Sequence, residues 1–233
     1  MRLVSWNVCD GFERKFGHLE RLKPDIAILQ EVRPACLAYA GLSDRAVWIG
    51  DEGQKGLTAV AYGDWQLERA SIEIPERWFL PLVAHKGSTT INLVAVWVDS
   101  SKECGPPTLR ALEQLQHFIE TAPTIMAGDF NHCVSMDKRK GPGRRFADVL
   151  SVMEESGLKS AWHSFHQEEH GAETAATLYW TWNAERRFHI DFVFHAQGLP
   201  AENVSIGTYE AYVSMKISDH VPVTVDFSLP DGL

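Results

Sequence analysis

Several apolar runs in this chain end in residues able to handle a phosphate or a hard cation. "TIMAG" leads into Asp129, with Asn131 two positions on. "LVSW" ends at Asn7 and "IAILQ" at Glu31. Asp191 interrupts "FHIDFVF", and "SDH" sets Asp219 and His220 just before the last apolar run. One such residue alone is a turn former. A strand interior, however, avoids carboxylates, because an unpaired buried charge is costly. Four carboxylates placed this way predict convergence at one end of the sheets, where oxygen ligands would hold Mg2+ or Mn2+. Asp129 and Asn131, two apart in an extended chain, face the same side. There one can take a proton from water while the other donates to phosphate. His220 can donate to a phosphate oxygen, and a carboxylate behind it would fix its tautomer and favour its charged form.

The elements that must position these residues read as follows. "RLVSW" and "DIAILQE" are strands, the second buried on both faces. Between them Phe12, Phe16, Leu19 and Leu22 recur at helical spacing, with Pro24 after the stop. "LTAVAYG", "WQLERASIEI", "FLPLVAHK" and "INLVAVWVD" are further strands. "GPPTLRALEQLQHFIE" is a helix with Pro107 in its first turn and Leu109, Leu112, Leu115 and Ile119 as its buried stripe. "RRFADVLSVMEESG" is a second, with Phe146, Val149, Leu150 and Met153 inward and Gly157 as its stop. "TLYWTWN", "RFHIDFVFH", "NVSIGTYEAYV" and "VPVTVDFSL" read as strands. Many strands with few helices between them predict two packed sheets covered by helices.

The 233 residues, 45% hydrophobic, are ample for one sizeable core, and a single domain over 1–233 is expected. A net charge of -9 disfavours non-specific sliding on nucleic acid, though not an enzyme with a local basic patch. The four cysteines form no C-x-x-C, and no apolar run reaches the length of a membrane span. A reduced, cytoplasmic, monomeric protein is the expectation.

Three other groups bear on the substrate. Lys138, Arg139, Lys140, Arg144 and Arg145 form a basic run after Asn131, able to draw in a polyanion or to be a solvated loop. Tyr179, Trp180 and Trp182 could stack on a base or sugar, with core packing at least an equal reading. His163, His166 and His170 have a ligand-like spacing but no evident fourth partner, so a zinc site is the lesser reading.

The ordered set "SWN", "LQE", "GDFN", "HIDFVF" and "SDHVP" resembles the endonuclease/exonuclease/phosphatase superfamily, from Asn7 to His220. The resemblance implies an α/β fold: a four-layered α/β sandwich of two packed mixed β-sheets flanked by helices. It also implies a divalent-metal-dependent phosphoesterase. Carried over by motif, Glu31, Asn7 and Asp219 lie on the metal side. Asp129 activates the nucleophile, Asn131 and His220 contact phosphate, and Asp191 orients His220. Nucleic acid is the leading substrate, a small phosphorylated metabolite or lipid headgroup the first alternative, and an inactive binding module of the same fold the second. One departure stands out. Where the family usually places a His or Tyr near a strand end, this chain has Trp97, whose indole can donate but cannot accept or relay a proton. Tyr179 and His85 are the candidates to replace that function.

Overall fold

The computed structural model describes residues 1–99, 103–138 and 140–229. The chain runs β1 (Arg2–Asn7), α1 (Phe16–Leu22), β2 (Ile26–Val32), α2 (Pro34–Tyr39), β3 (Ala46–Gly50), β4 (Gly56–Ala61), β5 (Gln66–Arg69), β6 (Phe79–Lys86) and β7 (Thr89–Trp97). Then follow α3 (Gly105–Thr121), β8 (Thr124–Asp129), α4 (Phe146–Glu155), β9 (Leu158–Ser160), α5 (Ala161–His166), β10 (Leu178–Tyr179), β11 (Arg187–Phe188), β12 (Asp191–Ala196), β13 (Ala201–Ile206) and β14 (Val223–Phe227). One six-stranded sheet has the order β13-β14-β1-β2-β4-β3 and the other β5-β6-β7-β8-β12-β9.

Each sheet has a parallel pair at its centre, β1 with β2 and β7 with β8, flanked by antiparallel strands. This arrangement decides where the chemistry can be. Parallel neighbours end together, so Asn7 and Gln30 are in register at one end of the first sheet, and Trp97 and Asp129 at the same end of the second. The antiparallel neighbour β12 starts where β8 finishes, pairing Asp191 with Asp129.

Alternation along the strands builds the layers. Leu3, Ile26, Ile28, Ile125, Ala127, Val193 and Val225 pack between the sheets. On the outer face of the second sheet Val94, Val96, Met126, Phe192 and Phe194 bury the stripe of α3 and α4, including Leu112, Leu115, Ile119, Val149 and Met153. On the outer face of the first, Val4, Trp6, Ala27 and Leu29 meet Leu19 of α1, Leu37 of α2 and Tyr212. The result is helix, sheet, sheet, helix. Each large apolar side chain removed from water in these layers contributes about 1.5–3 kcal/mol.

Some stretches depart from the sequence reading. "TLYWTWN" is a strand only at Leu178–Tyr179. Thr181 and Trp182 then adopt left-handed backbone (φ 57° and 62°), and the Trp180 amide closes a hairpin on the Arg186 carbonyl. "NVSIGTYEAYV" leaves the sheet at Ile206. Thr208 caps a wide turn over Tyr209–Val213 that drops Tyr212 edge-on against Trp6. "WQLERASIEI" is a strand only as far as Arg69. The short elements α2, β3, β9 and α5 lie outside the segments for which the sequence predicts a strand or helix. Among the described residues no helix is long and apolar enough to cross a membrane.

Candidate active site

The polar strand ends meet at one rim of the sandwich. Gly128 brings β8 there against β7: a Cβ at this position would stand 1.9 Å from the Val96 carbonyl oxygen, so the close approach admits no side chain. The next residue, Asp129, is almost fully buried. Its Oδ1 accepts from the Asn131 amide at 2.8 Å, and its Oδ2 accepts from Asn7 Nδ2 at 3.0 Å and Asn131 Nδ2 at 3.1 Å. Asn131 takes left-handed backbone (φ 49°), a conformation Asn tolerates better than most residues, and it also donates to the Val98 carbonyl at 2.8 Å.

Opposite stands His220. Its Nδ1 meets Asp191 Oδ2 at 2.9 Å, and its Nε2 lies 4.0 Å from Asp129 Oδ2. One oxygen atom could therefore hydrogen-bond to both Nε2 and Oδ2. The electrostatics are those of three close ionisable groups in a dry place. Burial and the Asp191 charge push Asp129 up to about 7, against the pull of His220 and of the Asn7 and Asn131 donors. Burial resists charging of His220, but Asp191, Asp129 and Asp219 together outweigh it and raise the imidazole to about 10. The arrangement is an imidazolium held by Asp191 beside a carboxylate poised to take a proton near neutrality.

On the other side of Asn7 lies Glu31. A bulge in β2 between Gln30 and Val32 puts Glu31 in left-handed backbone (φ 63°) and turns it out of the ladder. Asn7 Nδ2 reaches Glu31 Oε1 at 3.4 Å. Asp219 completes this side: burial first, then the Asp219 and Glu31 charges, push the intervening Cys9 thiol up to about 11. Glu31 and Asp219 offer carboxylate oxygens, a hard donor type, while Asn7 Oδ1, the third candidate oxygen, accepts from the Cys9 amide at 3.0 Å. Glu31 already holds a cation, since Lys55 Nζ sits 2.6 Å from Oε2. These residues fit a divalent metal.

Lys55 was not legible in the sequence, nor were two residues that hold the histidine dyad. Thr177 Oγ1 accepts from both the Ile190 and Asp191 amides, at 3.0 and 2.9 Å, and so sets the start of β12. Ser218 Oγ donates to the Asn7 carbonyl at 2.9 Å and accepts from the His220 amide at 3.1 Å. Both hydroxyls act on backbone groups distant in sequence, and nothing in "AATLY" or "ISDH" marks them. Thr177→Val should leave two buried N–H groups unpaired, lowering stability by about 2–4 kcal/mol in a denaturant titration. An unchanged midpoint would show that these amides find other partners.

Trp97 lies beside Asp129 in register and packs against Trp78, ring centres 4.8 Å apart and planes inclined at 48°, with the Arg77 guanidinium over the Trp78 ring at 4.2 Å. His85 cannot replace it. It pairs with Thr90 at the far end of the β6–β7 ladder, about 20 Å along the strand at 3.3 Å per residue. Tyr179 is buried against Tyr209, but its amide donates to the Asp219 carbonyl, which places the Trp180 turn beside the site. Trp180 is 52% exposed and carries Arg186 over its ring at 4.6 Å, whereas Trp182 is half-buried under Lys216.

In the basic run Lys140 Nζ meets His132 at 2.7 Å, Arg144 pairs with Glu103 at 2.6 Å and Arg145 with Asp148 at 2.6 Å. Lys138 is exposed, and Arg139 lies outside the described residues. The loop is anchored by Asp137, which caps the first amides of α4 at Phe146 and Ala147.

Comparison with known proteins identifies the family and the fold. A family model described as "Endonuclease/Exonuclease/phosphatase family" matches residues 4–220. A search of curated protein sequences finds no match. Among solved structures, the 3' phosphatase NExo from Neisseria bound to product DNA hairpin is 17% identical, with a TM-score of 0.71 over 98% of this chain and 100% of that one. Truncated TDP2 from Caenorhabditis elegans is 17% identical, with a TM-score of 0.74 over 98% and 97%. An AP endonuclease from Archaeoglobus fulgidus is 18% identical, with a TM-score of 0.69 over 98% and 100%. At these identities the structural likeness speaks for the fold, while the model match spans nearly the whole chain. The chain is an enzyme of the endonuclease/exonuclease/phosphatase family, whose members hydrolyse phosphoesters.

Proposed function

We propose that residues 1–233 form one catalytic domain that hydrolyses phosphodiesters of nucleic acid with Mg2+ or Mn2+. The observation that carries this reading is the meeting of Asp129, Asn131 and the Asp191–His220 pair at one rim, with Glu31 beside them. Glu31, Asn7 and Asp219 would hold the cation, which when bound draws electron density from a phosphoryl oxygen. Asp129 orients a water and takes its proton. The protonated His220, fixed by Asp191, donates to the phosphate oxygens as charge builds on them, and so does Asn131 once the N–H that now meets Asp129 Oδ2 turns to the phosphate.

Nucleic acid is favoured by the exposed Trp180, with Arg186 over its ring, next to Asp219, and by the tilted Trp97–Trp78 pair next to Asp129, since aromatic rings flanking a phosphate site suit bases. Two of the similar structures hold DNA products: the Neisseria 3' phosphatase with a hairpin, and Danio rerio TDP2 with a single strand. A second reading, a small phosphoester, has its own support. The net charge is -9, and Lys140, Arg144 and Arg145 are each already paired, with His132, Glu103 and Asp148.

The deciding experiment is a substrate panel with added Mg2+ or Mn2+: duplex, single-stranded and abasic DNA, RNA, phospholipids and sugar phosphates. Cleavage of a nucleic acid, abolished by chelator, is expected. Turnover confined to small monoesters would replace the leading reading with the second. Lys55 provides a further check. It competes with a cation for Glu31, so Lys55→Met should lower the Mg2+ concentration for half-maximal rate about two- to fivefold, the worth of a partly exposed ion pair. A higher Mg2+ requirement in the variant would contradict that competition.

A further inference from the structure

A second cluster of ligand-type side chains lies on the outer face of the second sheet, apart from the strand-end carboxylates. His163 on α5 and His170 and Glu173 on the loop after it bring one ligand atom each to within 4.8 Å of one another. His166, the middle histidine of the sequence triplet, is not part of it: its Nε2 faces the Val204 carbonyl at 3.1 Å. Glu173 takes its place.

We propose that His163, His170 and Glu173 form a second metal site, for Zn2+ or a similar borderline transition ion. Three observations carry it. First, His163 Nε2 and Glu173 Oε1 are 3.1 Å apart, close to the spacing of about 3.3–3.5 Å between two ligands on one tetrahedral zinc. Secondly, the groups are already oriented from behind. Ser160 Oγ lies 2.7 Å from His163 Nδ1, which leaves Nε2 facing Glu173, and the Gly171 amide donates to the Glu173 carboxylate at 2.8 Å. Thirdly, His170 has an unsatisfied donor-acceptor atom. Its Nδ1 is buried without a hydrogen-bond partner, although its ring is stacked on His163 with centres 3.5 Å apart. Burial lowers His170 to about 4, so the imidazole is neutral and keeps a lone pair at physiological pH.

Binding would replace the His163 Nε2–H···Oε1 hydrogen bond by two bonds to the ion, the ring proton moving from Nε2 to Nδ1, where it donates to Ser160 Oγ. The stacked rings must fan apart to converge on one ion. A cavity of about 250 Å³ lined by His163, His170, Ser160, Met153 and Phe194 gives room for that and for a water in the fourth position. The same loop continues to Thr177, which fixes the amide of Asp191. A clip between α5 and Glu173 would therefore hold the catalytic-side carboxylate from the back of the sheet.

The test uses the full chain in a Glu31→Gln, Asp129→Asn background, which removes two carboxylates of the candidate active site. Zinc stoichiometry after dialysis, the visible absorption of the Co2+ form and the zinc-induced shift in Tm are measured. About one equivalent of zinc is expected, with tetrahedral Co2+ bands and a raised Tm. His170→Gln and Glu173→Gln, both on the loop rather than in the core, should each weaken zinc binding at least tenfold and remove the Tm shift. His166→Ala should change neither. Absence of zinc from the parent, or binding unaltered by both loop variants, would overturn the site.

Discussion

Asp129→Asn is expected to lower kcat/KM by about 10³–10⁴-fold, the range for loss of a positioned general base. The substitution keeps the shape of the side chain and one oxygen for the Asn131 amide. It removes the carboxylate that burial and Asp191 hold near 7, the value at which a base is about half free and still strong enough to act at neutral pH. The fold should survive, because the residue sits at the end of β8 and its amide and carbonyl remain in the backbone bonds around it. Circular dichroism and Tm establish that, and kcat and KM are measured separately. A fall confined to kcat with KM little changed is the signature of a group that acts in the transition state. Near-normal turnover would remove Asp129 from the chemistry and leave it a turn residue.

Asp191→Asn should reduce kcat by about 10²–10⁴-fold and change the pH profile, with the direction set by His220. Asp191 is the main reason that the buried imidazole stays protonated. With a neutral amide there, burial lowers the imidazole pKa against the remaining pull of Asp129 and Asp219 alone. His220 then gives up its charge at a lower pH than in the parent. The parent keeps its imidazolium throughout the neutral range, so its rate should not improve as pH falls. The residual rate of the variant should improve. A variant whose profile runs parallel to the parent's would mean that Asp191 serves packing alone, and that the dyad at 2.9 Å is not used as an imidazolium.

Much of this site could be read from the chain because burial leaves a signature when it is broken. Asn7, Glu31, Asp129 and Asp191 each interrupt or terminate a run that would otherwise be core, and the central parallel pairs bring those ends together. Residues that act on backbone groups left no such trace. Thr177 and Ser218 are ordinary loop residues until the Asp191 amide and the Asn7 carbonyl arrive from elsewhere. Lys55, beside a glycine in a polar loop, acquires its meaning only from the bulge that turns Glu31 toward it. Among the elements, "TLYWTWN" was misread because aromatic and β-branched residues favour strands, whereas the closing bond from Trp180 to Arg186 selects a hairpin with two left-handed residues. The edge strand β3 was missed for another reason. "AVWIG" is half-buried along most of its length and shows no alternation to count.

The central place of β1 has a consequence for how the enzyme comes into being. The first strand of the chain is zipped on one side to β14, Arg2 pairing with Asp226 across 224 positions, and Ser218 ties the end of β1 to the segment that carries His220. Contacts of such separation form late, because the intervening loop must be closed before they give any return. During synthesis the amino-terminal strand must wait, with one edge open, until the final strand emerges. His220, three residues before β14, is brought to Asn7 by that same late pairing. A chain cut before Val223 is therefore expected to lose the pairing that holds β1 against the segment carrying His220, with a fall in Tm and in phosphoesterase rate as the readouts.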